Sequence, residues 1–322
     1  MEPAFNSASA ENTVLERLAY ETLAELRRSR RWRMVLSLGW LSFFFILMFA
    51  VMGWVGGKRE VGSLEKHTAL VELKGVIAAD SKASADKIIG ALQLAFKDKN
   101  TQGVVLRINS PGGSPVQAGY INDEIKRLRA KHQDIPFYVV VQDICASGGY
   151  YVAAAADKIF VDKASIIGSI GVLMDGFGFT GAMEKVGVER RLITAGQNKG
   201  FLDPFSPVNP EQQKLATQMV AEIHQQFIKV VKDGRGKRLK ESPEMFSGLV
   251  WSGEKSVELG LADGLGGLDY VAREVIKAEQ VVDYTPEDTF SEQLARRLGA
   301  SAAETMWSKL FSVTPAKGIT LR

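Results

Sequence analysis

GVVLRINSPGGS at residues 103–114 and FYVVVQDICASGGYY at residues 137–151 decide how this chain folds. Each begins as a short unbroken apolar run, the pattern of a strand covered on both faces. Each run ends in a glycine-rich turn, Asn109 to Ser114 in the first and Ala146 to Tyr150 in the second, and a helix-spaced segment follows. The rhythm extends in both directions. Residues 67–77 read as a strand and 83–96 as a helix, with 116–131 helical between the two quoted runs. Residues 148–156 continue as helix, 158–161 as strand and 210–232 as a long helix, and helices near 253–259 and 268–278 close the region. Strands alternating with helices predict an α/β fold with a largely parallel sheet.

The 322 residues are 46% hydrophobic and 24% charged, enough to bury one large core or two small ones. The net charge of +3 is small, and Arg27, Arg28, Arg30, Arg31 and Arg33 gather before an uncharged run at 34–57. That run is long enough to cross a hydrocarbon core of roughly 30 Å, and Trp40 and Trp54 lie near its ends. A cleaved signal peptide fits less well, because the stretch before the run is too long and no small-residue cleavage site follows. The arginines predict a cytoplasmic tail at 1–33, a transmembrane helix at 34–57, a linker at 58–66 and an extracytoplasmic domain at 67–280. Residues 281–322 form a partly helical tail. The basic residues do not spread over a folded face as a nucleic-acid binder requires, so no nucleic acid is expected.

In an open α/β sheet, ligands bind beyond the carboxyl ends of the strands, where both glycine turns fall. Ser147 would stand at a strand-to-helix turn, with Gly148 leaving room for a substrate backbone. The amides of Gly113 and Gly148 could together hold an oxyanion. A serine N-cap beside a structural glycine accounts for either turn alone; the pair leaves the two readings balanced. A serine nucleophile needs a base. His67, His132 and His224 lie in no comparable motif, so a serine–histidine–aspartate triad is poorly supported. Lys199, in the glycine-flanked stretch Thr194 to Phe205, is the other option if it loses solvation, although spacing does not single it out. Cys145 is the one cysteine, so no internal disulfide forms, and no Cys/His cluster has zinc spacing. No metal or cofactor is expected.

The runs NSPGGS (109–114), ASGGYYVAAAADKIF (146–160), SIIGSIGVLM (165–174), GQNKGFLDPFSP (196–207) and VWSGEKSVELGLADGLGGLDYVARE (250–274) occur in this order. Together they resemble signal peptide peptidase A, a family of serine proteases with the ClpP/crotonase-like fold. The resemblance covers residues 70–278 and matches the short form, since one copy of the motifs is present. It implies Ser147 as nucleophile, Lys199 as general base, Gly113 and Gly148 as oxyanion-hole amides, and Ser169 as the residue that orients the lysine. It further implies a ring- or bowl-shaped homo-oligomer on a bacterial inner membrane, with serine and lysine supplied by neighbouring subunits and the catalytic domain on the periplasmic side. The implied substrates are remnant signal peptides and similar apolar peptides. Two rival readings are a non-catalytic membrane scaffold of the same fold and acyl-CoA chemistry of the crotonase type.

Overall fold

The computed structural model describes residues 32–48 and 65–286. The larger stretch carries eight strands in one sheet: β1 (His67–Lys74), β2 (Thr101–Ser110), β3 (Phe137–Ala146), β4 (Lys158–Val161), β5 (Ile166–Gly168), β6 (Val250–Ser252), β7 (Gly264–Leu265) and β8 (Val281–Asp283). The order is β6-β5-β3-β2-β1-β8, with β4 also on β3 and β7 on β4. Every pairing is parallel except β5 with β6, so the expected α/β architecture with a mostly parallel sheet is present. The helices are α1 (Ala85–Lys97), α2 (Pro115–Lys131), α3 (Gly148–Ala153), α4 (Thr180–Lys185), α5 (Pro210–Arg235), α6 (Gly253–Glu258) and α7 (Leu268–Tyr270), which continues as a π-turn to Ile276.

The apolar runs lack alternation because both faces of the central strands are covered. On one face α1 buries Ile88, Leu92 and Phe96, and α2 buries Ala118, Ile121, Ile125 and Leu128, all at helical spacing. On the other, Val271 closes over Leu70, Val105, Val140 and Phe160. Ser114 starts α2 by accepting a hydrogen bond from the Gln117 amide, with Pro115 preset for the first helical position. The first glycine turn therefore also serves as a helix start.

One edge of β3 is shared. Its first half pairs with β4 at Tyr138, Val139 and Val140, and its second half with β5 at Ile144, Cys145 and Ala146. At the split, the Ser165 hydroxyl donates to the Gln142 carbonyl at 2.9 Å. The end of β3 is thus held by a different strand from its beginning. The sequence reading missed β5 and β6 because three-residue strands carry no periodicity. Val281–Asp283, placed in the tail from sequence, add the edge strand β8 beside β1.

Among the described residues no helix is long and apolar enough to cross a membrane. Residues 32–48 are helical and exposed, about 25 Å at 1.5 Å per residue. The rest of the expected span, 49–57, lies outside the described residues, as do residues 1–31, most of the linker and the tail beyond 286.

The far end of α5 is locked by a buried ion pair. Arg235 is 1% exposed, and its guanidinium donates to the Gly260 carbonyl at 2.9 Å and to Asp263 at 2.8 Å. Asp263 also accepts from the Ile159 amide at 2.7 Å and from Arg238 at 3.2 Å. Burial alone would raise the Asp263 carboxyl; the two arginines and the amide outweigh it and hold the group below its ordinary value. Asp263→Ala would leave Arg235 buried without its counter-charge, at an expected cost of about 3–5 kcal/mol in urea unfolding. The depressed carboxyl contributes stability that is present above its unfolded value of about 4 and lost as pH falls through the native one. Asp263→Asn should therefore flatten that part of the acid unfolding curve, as followed by circular dichroism.

Candidate active site

The two glycine turns leave adjacent strands, since Ser110 at the end of β2 sits opposite Cys145 near the end of β3. They meet in van der Waals contact. A Cβ on Gly112 would lie 2.7 Å from the Ser147 Cβ and 2.8 Å from the Gly148 nitrogen. A Cβ on Gly148 would lie 3.3 Å from the Gly113 nitrogen. A side chain at Gly112 would collide with the second turn and one at Gly148 would be tight against the first, so glycine lets these backbones close. Gly113 has φ +145 and is pinned by Ile77, whose amide donates to the Gly112 carbonyl and whose carbonyl accepts from the Ser114 amide, both at 2.8 Å.

Ser147 has φ 52 and ψ −123. These are the angles of the first central position of a type II′ turn, normally glycine's place. Holding a serine there costs of order 1–3 kcal/mol and needs support from its surroundings. The Ser147 amide donates to the Gly168 carbonyl at 2.8 Å, and the Ser147 carbonyl accepts from the Tyr151 amide at 2.9 Å. The half-buried Ser147 stands at the N-cap position of α3, but its side chain makes no capping hydrogen bond. That disposes of the N-cap alternative and leaves the hydroxyl uncommitted to the helix. Among the described residues, neither the Gly113 nor the Gly148 amide has a hydrogen-bond acceptor. An uncommitted hydroxyl next to a pair of glycine turns with acceptor-free amides has the components that addition to a carbonyl and oxyanion stabilisation require.

Ser169 follows Gly168, shares the φ of 52, and is held by its amide donating to the Leu249 carbonyl at 2.7 Å. It thus stands one residue from the carbonyl that fixes Ser147. Lys199 lies elsewhere, in an exposed turn where its amide donates to the Gly196 carbonyl at 3.1 Å. No hydrogen bond or ion pair joins its side chain to any described residue. The surrounding stretch, 171–209, is exposed almost throughout; Ile193 is 95% exposed, and Leu173 and Phe177 are bare as well.

Other candidate nucleophiles and bases are occupied. Cys145, two residues before Ser147, is fully buried, and burial pushes its thiol far up, so it is not a thiolate. Tyr150 is buried with its hydroxyl donated to the Leu261 carbonyl at 2.7 Å. His67 is buried between the Glu65 carbonyl and the Tyr284 hydroxyl, His132 closes the end of α2, and His224 contacts the Ile170 carbonyl. Among the described residues no group of three His, Cys, Asp or Glu stands as metal ligands would. Sequence reasoning overlooked Gly112, Gly168 and Ile77; the glycines carried the only signal, since Ile77 acts through its backbone amide and carbonyl, which no side-chain pattern marks.

Residues 129–282, which include Ser147 and Lys199, match the profile of Peptidase family S49. A protein of Enterococcus faecium that carries the name signal peptide peptidase SppA is 30% identical over 234 residues, 70% of this chain and 67% of that protein. The chloroplastic serine protease SPPA of Arabidopsis thaliana is 28% identical over 219 residues, 67% of this chain and 32% of its own length. A Brucella melitensis protein named Na(+)/H(+) antiporter NhaA is 43% identical over 215 residues, 65% of this chain. This chain spans only 29% of that protein, so most of it lies outside the match.

Gly112→Ala forces a methyl into the space held by Ser147 and the Gly148 amide. Its expected effect is a fall in fluorophosphonate labelling of Ser147 by about a hundredfold, the scale of a 1 Å misplacement. Labelling rate is measured against wild type, with circular dichroism to establish that the sheet persists.

Proposed function

Because this chain belongs to the S49 family of serine proteases, we propose that it is an endopeptidase that works through an acyl-enzyme on Ser147. The observation that carries the reading is the Ser147 backbone, held at φ 52 with no capping bond from its hydroxyl, where the Gly112–Gly113 turn packs against the Gly148 amide. The Ser147 hydroxyl oxygen attacks the substrate carbonyl as Lys199 takes its proton. The oxyanion rests between the two amides. Lys199 then returns the proton to the leaving amine, and water, deprotonated by the same lysine, releases the acyl group. Ser169 orients the lysine.

The exposed lysine in an exposed arm supports a dyad assembled between chains: Lys199 of one copy serves Ser147 of the next in a ring- or bowl-shaped homo-oligomer. The apolar surface of residues 171–209 is what such an assembly would cover. The uncharged run at 34–57 supports anchoring in a bacterial inner membrane, with residues 1–33 cytoplasmic and the catalytic domain periplasmic. Substrates are then apolar peptides near the bilayer, remnant signal peptides among them. No cofactor takes part in these steps. The scaffold alternative loses ground because a non-catalytic fold has no use for a strained serine where two glycine turns meet.

Ser147→Ala is expected to lower cleavage of a signal-peptide-like substrate by about 10⁴-fold or more, and Lys199→Ala by a comparable factor. Mixing the two inactive variants tests the shared dyad. Assembled together, they should regain part of the wild-type rate, since some interfaces pair an intact serine with an intact lysine. Mixtures that stay inactive would place both residues in one chain.

A further inference from the structure

Helix α5 touches one support of Ser147 and the segment that carries another, at two points about one turn apart. Phe227 packs its ring against Tyr151 at 5.2 Å, and Tyr151 is the residue whose amide holds the Ser147 carbonyl. His224, one turn earlier, places its Nε2 at 3.2 Å from the Ile170 carbonyl. A carbonyl only accepts, so Nε2 carries the proton and donates. Ile170 is buried and follows Ser169 directly. It is also the last buried residue before the exposed arm of 171–209.

That arm is folded on itself and fastened to the start of α5. The Phe179 amide donates to the Pro204 carbonyl at 2.7 Å, and the Phe179 and Phe205 rings stack at 5.3 Å. The Leu202 amide, three residues from Lys199, donates to the Gln212 side chain at 3.0 Å. Arm and helix are therefore joined at Gln212, and the His224 bond fastens the helix to the segment 168–170. The same segment supplies the Gly168 carbonyl that holds the Ser147 amide and contains Ser169.

We propose that His224 is a positioning residue, setting the root of the lysine-bearing arm against the floor that carries the serine. This rests on the Ser147–Lys199 reading given above. His224 touches neither the substrate nor the reacting atoms; it acts through the Ile170 carbonyl. Nothing in the sequence marked it, since it sits in a polar stretch in the middle of a helix.

The test compares His224→Leu, which fills similar space without a donor, with His224→Gln, whose amide can donate to the same carbonyl. Turnover of an apolar fluorogenic peptide by the full chain is expressed per Ser147 titrated to completion with a fluorophosphonate. A role confined to stability would lower the number of titratable serines and leave turnover per serine unchanged. The expected result is a fall in kcat per titrated serine of about tenfold for the Leu variant, a KM within twofold of wild type, and recovery of most of kcat in the Gln variant. Wild-type kcat per serine in the Leu variant would overturn the proposal, as would a Gln variant as slow as the Leu variant. If the Leu variant does not fold, His224→Ala removes the same donor without added bulk and the same criteria apply. Wild-type protein that takes up no label at Ser147 would sink the protease reading itself, an outcome separate from either result at His224.

Discussion

A serine held where glycine belongs is the constraint on which the rest of this structure turns. Ser147 keeps φ 52 because its amide is caught by the Gly168 carbonyl, its carbonyl by the Tyr151 amide, and its side chain is backed by Gly112. Each support needs its own framework. Gly168 is in place because β5 takes over the second half of β3 where β4 leaves off. Gly112 is in place because Ile77 clamps the first turn from both sides. Tyr151 is in place because α3 lies against α5. The strain at one residue is thus distributed over the parallel sheet and two helices, in line with the general rule that strained backbones persist only where the surroundings over-determine them.

Much of this was legible in the sequence. Unbroken apolar runs such as GVVLRI placed the central strands, because their residues meet core on both faces. The turns NSPGGS and ASGGY, legible as glycine-rich breaks after two strands, meet at the ends of β2 and β3, because glycine is what lets two backbones approach. Short elements were not legible. β5 and β6 are three residues each, and pairing with distant partners, rather than local pattern, makes them strands. The supporting roles of Gly168 and Ile77 escaped notice for the same reason: they are main-chain hydrogen bonds between segments far apart in sequence.

Lys199 differs in kind. A base must be desolvated and aimed, and the single chain supplies neither; the residue stands exposed on an arm whose apolar side chains are equally bare. Such an arm is costly to leave in water and has the composition of a surface that another molecule covers. Reading the lysine as a partner's base explains two otherwise unconnected facts, the uncommitted serine and the uncovered arm. On that reading the arm's root, at Ile170 and His224, is where each chain's lysine-bearing arm leaves its own serine floor toward the neighbouring copy.

The acyl-enzyme is the account's central claim, and rapid-quench intact mass measurement tests it most directly. Protein mixed briefly with an activated acyl ester and quenched in acid should gain the mass of one acyl group, and peptide mapping should place it on Ser147. Continued hydrolysis of the ester with no covalent adduct, or an adduct on another residue, would contradict it.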